Sequence, residues 1–172
     1  MFNFELTEDL LTGIEDVDAQ HRMLLELASD IVETSDEEKN EAFFERTSGF
    51  LKEYVAYHFA SEEMVMLQYH YPKFEAHSHR HAAIREELTA LVLRVRAEGL
   101  TRELNAQYCF FVEDWVLQHI RTYDREMATF YHAQKIQVSL PSASAVSQSS
   151  SKSGIVPANI ERILAQSNAR HR

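Results

Sequence analysis

Five of the nine histidines in this 172-residue chain, His21, His58, His77, His81 and His119, fall among apolar residues spaced three and four apart, on stripes that a helix would turn inward. An ionisable ring held there is costly unless it is hydrogen-bonded or ligated. His58 and Glu62 are four apart, as are His77 and His81; on a helix that spacing aims both side chains of a pair at one point, so each pair can chelate. His119 and Asp124 are five apart. Ordinary helical geometry puts them about 140° round the axis, where they would reach two sides of one site as a bridging carboxylate does. A lone inward histidine is commonly a core residue, and HxxxE or HxxxH arises by chance on exposed helices. The joint pattern is what carries weight.

The elements that must position these groups can be read from the same periodicity. Residues 1–17 are short on helical spacing and contain Gly13, so they read as an arm lying across the fold. Asp18 is a suitable cap for a first helix with His21, Leu24, Leu25, Ala28, Ile31 and Val32 on one face. Ser35 and Glu38 form a capping box for a second, whose inner stripe is Phe44, Leu51, Tyr54, Val55, His58, Glu62 and Val65, and which ends before Pro72. A third carries Phe74, His77, His81, Ile84, Leu88, Leu91 and Val95 and stops at Gly99. The fourth runs from Thr101 through Leu104, Tyr108, Val112, Trp115 and His119 to about His132. The connections are short, so neighbouring helices should be antiparallel: an all-α, up-down-up-down four-helix bundle. The chemistry-bearing residues sit near the start of the first helix, the end of the second, the start of the third and the later half of the fourth. In an antiparallel bundle these places share one end. Seven His, Asp and Glu donors there are too many for one ion and suit two that share both carboxylates. His70, His79, His132 and His171 fall outside the converging set and are expected to be solvated.

Composition narrows the class. Four glycines and three prolines favour helix, and the net charge of −10 argues against a nucleic-acid partner and against adsorption to anionic lipid. No apolar run is long enough for a membrane span, the N-terminus is too acidic for a secretory signal, and the single Cys109 fits a reducing compartment; a cytoplasmic location is expected. The bundle is assigned to residues 1–137. A serine-rich linker follows at 138–153, and a tail at 154–172 in which Pro157 can begin a short helix carrying Ile160, Ile163 and Leu164 on one face. Such a tethered apolar face could dock on a protein partner.

The segments DVDAQH at 16–21, HFASEE at 58–63, HSHRH at 77–81 and WVLQHIRTYD at 115–124 resemble the hemerythrin family, and the resemblance extends over about residues 10–132. It implies two iron ions, one held by His77, His81 and His119 and the other by His21 and His58, bridged by Glu62, Asp124 and a solvent-derived oxo or hydroxo group. It further implies that O2 binds at the iron with fewer histidines, as peroxide, in a pocket walled by Leu24, Phe59, Trp115 and Val116. Bacterial members tend to have a tryptophan near the N-terminus where this chain has Phe2 or Phe4. Ligand type bears on the activity: carboxylate-rich di-iron sites support high-valent iron, whereas five neutral imidazoles favour reversible binding. The expected function is therefore oxygen binding for carriage, storage or sensing, without enzymatic activity. The alternatives are a redox enzyme that reduces peroxide or nitric oxide, and a module that reports oxygen or redox state to a partner through the tail.

Overall fold

The apolar stripes become four long helical rods in a computed structural model that describes residues 4–34 and 38–139. Helix α1 spans Glu15–Glu33, α2 Glu41–Gln68, α3 Phe74–Glu98 and α4 Arg102–His119; α4 passes through one π-helical turn, Ile120–Asp124, into α5, Arg125–Ser139. α1 packs on α2 and α4, and α3 on α2 and α4, which closes a four-membered ring of antiparallel neighbours. Residues Met1–Ser139 form one compact unit. Among the described residues no helix is long and apolar enough to cross a membrane. The expected linker beyond residue 139, the tail at 154–172 and its docking face, Phe2, Ser35 and His171 lie outside the described residues.

The helix ends follow from local chemistry, with two departures from the sequence reading. Asp18 does not cap α1; Ile14 occupies that place, and Asp18 lies in the first turn. Its buried carboxylate instead reaches back to accept from the Thr12 amide at 2.7 Å, the Thr12 hydroxyl at 2.6 Å and the Gly13 amide at 2.9 Å. It thereby satisfies donors in the arm that helical hydrogen bonding leaves over. α2 is capped by Asn40, which accepts from the Phe43 amide at 3.0 Å, so the helix opens later than a Ser35–Glu38 box would place it. Thr101 caps α4 through the Leu104 amide. Gly99 ends α3 at φ 78, where a side chain would be strained.

Burial sets a polar layer between a dry end and a smaller apolar cluster. At the dry end Phe44 and Tyr108 meet edge to face at 4.8 Å among Ile31, Leu51, Val95 and Leu104, all buried. The Tyr108 hydroxyl donates to Thr47 at 3.1 Å, as a buried phenol requires. At the other end Met66, Tyr71 and Met127 form a small cluster with Phe130, which holds the α2–α3 turn against α5. Between the two lie His21, His58, Glu62, His77, His81, His119 and Asp124, none more than 3% exposed. α5 and the arm close this end: Leu10 is buried, Arg121 pairs with Asp9, and the His132 ring donates to the Thr12 carbonyl at 2.8 Å. His132 is thus half-buried and bonded, where the sequence reading leaves it solvated; His70 and His79 are exposed as expected.

Candidate metal centre

All seven donors singled out from spacing converge, and they form two overlapping groups. Glu62, His77, His81, His119 and Asp124 offer one ligand atom each within 4.8 Å of one another, and so do His21, His58, Glu62 and Asp124. Both carboxylates belong to both groups, with their oxygens divided between them. Asp124 Oδ1 lies 3.1 Å from His77 Nε2 and 3.0 Å from His119 Nε2, whereas Oδ2 lies 3.1 Å from His21 Nε2. Glu62 Oε2 is 3.1 Å from His81 Nε2 and 3.6 Å from His77 Nε2, while Oε1 stands 3.7 Å from His58 and 3.8 Å from His21.

One feature of α4 makes this possible. On a regular α-helix His119 and Asp124 would point about 140° apart. The π-helical turn absorbs one extra residue, so the two side chains share a face and their donor atoms meet at 3.0 Å. The geometry expected from an ordinary helix is therefore corrected, and the carboxylate is aimed inward by the turn itself.

The spacings suit metal ions better than hydrogen bonds. Nε2 of His119 lies 3.1 Å from Nε2 of His81 and 3.3 Å from that of His77. Two ligands held at about 2.1 Å from one ion and about 90° apart stand about 3.0 Å from each other. Glu62 Oε1 and Oε2, Asp124 Oδ2 and His21 Nε2 are buried without a well-directed hydrogen bond, although Asp124 Oδ2 stands only 3.1 Å from His21 Nε2 and Glu62 Oε2 3.1 Å from His81 Nε2. Orphaned polar atoms of this kind are expensive unless something else satisfies them. The titration of the groups conflicts in the same way. Burial and the neighbouring Asp124 charge push Glu62 up to about 7. Burial drives His81 down to about 2 and His58 well below the usual histidine range. His21 is held up at about 9, against the effect of burial, by Asp124 and Glu62. Against its own burial Asp124 is kept well below the usual carboxylate range by the surrounding imidazoles, His119 foremost. Neutral imidazoles and ionised carboxylates around divalent cations would resolve all of these conflicts at once.

Two residues behind the donors were not picked out from sequence. His81 Nδ1–H donates to Glu63 Oε1 at 2.9 Å, and His58 Nδ1–H donates to Gln20 Oε1 at 2.9 Å. Each bond fixes its ring with Nε2 turned into the centre. Gln20 and Glu63 stand beside donor residues inside DVDAQH and HFASEE, but their role depends on which ring the neighbouring helix presents. The expected pocket residues Leu24, Phe59, Trp115 and Val116 are all buried. Phe59 lies flat on His81, ring centroids 3.7 Å apart and 8° from parallel, and Trp115 meets Phe59 edge-on at 6.0 Å. On the outer side Tyr123 stacks on His119 at 5.4 Å.

This fold and this donor set have a known counterpart. Residues 12–131 match the family described as Hemerythrin HHE cation binding domain, and the chain belongs to the hemerythrin family. Among curated proteins it is similar to a bacteriohemerythrin of Clostridium acetobutylicum, 26% identical over 129 residues that cover 72% of this chain and 97% of that protein.

Proposed function

We propose that this protein binds O2 reversibly at a di-iron centre. In that reading His77, His81 and His119 hold one iron and His21 and His58 the other. Glu62 and Asp124 would hold both, each offering one oxygen to either group. The observation that carries the proposal is the division of each carboxylate's two oxygens between the two histidine groups. Two irons, if held there, would supply the electrons for holding oxygen, and the membership of the hemerythrin family and the likeness to a bacteriohemerythrin support this reading. The chain's own part is to supply five neutral imidazoles and to keep the site dry. Phe59 of α2, flat on His81, and Trp115 of α4 against it meet across the bundle and exclude water from the centre, with Leu24 and Val116 also buried in the apolar wall of this reading. A dry wall slows the loss of bound oxygen as a reduced species, which is what separates a carrier, store or sensor from an oxidase. The acidic composition and single cysteine fit a cytoplasmic setting.

The test is to reduce the iron-loaded protein without air, record its visible and near-ultraviolet spectrum, admit oxygen and then sparge with inert gas. A charge-transfer band that comes with oxygen, goes on sparging and returns with fresh oxygen is expected. A band that forms once and cannot be reversed, or steady turnover of peroxide or nitric oxide with a reductant, would instead assign a redox enzyme.

A further inference from the structure

The two halves of the centre are backed differently. Among the described residues only His58 and His81 of the five histidines have a hydrogen-bond partner on Nδ1; those of His21, His77 and His119 have none. Behind His81, in the three-histidine group, stands a carboxylate, Glu63. Behind His58, in the two-histidine group, stands a neutral amide, Gln20. Gln20 is itself oriented, donating through Nε2 to Ser61 Oγ at 3.4 Å, so its oxygen is the end presented to His58. Glu63 is 29% exposed and pairs with no lysine or arginine among the described residues, so its charge acts on His81 unopposed by an ion-pair partner.

We propose that Glu63 makes the three-histidine position the first of the two to give up an electron. Glu62 and Asp124 send one oxygen to each group, so their charges favour neither side. What differs is the third imidazole, a further neutral donor, and the negative charge of Glu63, which reaches the ion through the His81 ring and stabilises its higher charge state. In the step concerned, one electron passes from the ferrous ion at the three-histidine position to an external one-electron oxidant such as ferricyanide. That ion becomes ferric, ferricyanide becomes ferrocyanide, and no bond or proton has to move. A unit charge about 7 Å from an ion, at an effective dielectric of about 20, biases such a couple by roughly fiftyfold. The partial exposure of Glu63 reduces this to on the order of tenfold. The sharing of the iron pair would then be unequal from the outset, with Gln20 leaving the two-histidine position the harder to oxidise.

This inference rests on the two-iron reading and is independent of whether oxygen binding is reversible. The test is an anaerobic potentiometric titration of the diferrous full-length chain with ferricyanide, followed by Mössbauer spectroscopy at each step. Wild type should oxidise in two separate one-electron steps. Glu63→Gln, which keeps the shape and the acceptor oxygen, should raise the potential of the first step by about 59 mV, the value of a tenfold change for one electron, and move the second less. Gln20→Glu should lower the second step more than the first and draw the two together. Unmoved potentials, equal shifts of both steps, or a shift of the second alone in Glu63→Gln would overturn the proposal. If Glu63→Gln fails to load two irons, Gln20→Glu decides alone, and a wider separation of the steps there would refute it. A wild-type chain with fewer than two irons removes the two-iron reading and this inference together. Two irons with potentials indifferent to Glu63 remove this inference only.

Discussion

Removing the metal should cost this protein a large part of its stability. Four buried acceptor or donor atoms, Glu62 Oε1 and Oε2, Asp124 Oδ2 and His21 Nε2, have no well-directed hydrogen bond of their own. A buried polar atom left unsatisfied costs about 1–3 kcal/mol; at the low end, which allows for partial relief by proton uptake, the four together cost about 4 kcal/mol. Net stabilities of domains are only about 5–15 kcal/mol, so this share is substantial. With an unfolding entropy of about 2.1 cal/mol/K per residue, 4 kcal/mol corresponds to a fall in Tm of at least about 10 °C for a unit of this size. The loss should be uneven. The dry end, with Phe44, Leu51 and Tyr108 fully buried, does not involve the site. Helical content near room temperature should therefore survive while the end of α2 and the start of α3 lose protection. The assay is thermal unfolding followed by circular dichroism on loaded and chelator-stripped protein, with amide hydrogen exchange to locate the change and metal added back to reverse it. A stripped protein whose Tm stays within about 3 °C of the loaded form, less than 1 kcal/mol by the same conversion, would refute the view that these atoms are satisfied by cations.

Three further outcomes follow from the geometry. Glu62→Ala and Asp124→Ala should each lose both ions, because each carboxylate faces both histidine groups, whereas His21→Ala should spare the three-histidine ion; iron per chain checks this, and two irons retained in every variant would contradict the assignment. Phe59→Ala removes a fully buried ring packed on His81 and should cost about 3–5 kcal/mol in denaturant unfolding, with faster autoxidation of the loaded protein. Gly13→Ala places a Cβ 2.9 Å from His132 Nε2 on backbone at φ +70 and should destabilise the arm by about 1–3 kcal/mol, partly relieved in a His132→Ala background; equal unfolding midpoints for Gly13→Ala and wild type would refute it.

Much of this arrangement is legible in the residues because helices translate spacing into direction. The four-apart pairs His58/Glu62 and His77/His81 needed only the α-helical period to be placed on one face, and the antiparallel order of short-looped helices brought them to one end. The family likeness read from DVDAQH, HFASEE, HSHRH and WVLQHIRTYD agrees with the family match over residues 12–131. What spacing missed depends on the local backbone or on a second helix. Nothing in IRTYD announces a π-helical turn, so the relation of His119 to Asp124 came out as two sides of a site when the two in fact share a face. Asp18 has the chemistry of a cap, but its partners are arm amides earlier in the chain. Gln20, Glu63 and His132 acquire their roles only from the group that tertiary packing sets opposite them.

The central claim is that two ions share Glu62 and Asp124, and anomalous diffraction at the iron edge from crystals of the iron-loaded protein tests it most directly. Two peaks per chain are expected, about 3.5–4 Å apart, the separation usual for paired-metal sites. One should lie within bonding distance of His77, His81 and His119, the other of His21 and His58, with an oxygen of each carboxylate on both. A single peak, or two peaks of which one makes no contact with Glu62 or Asp124, would contradict the account.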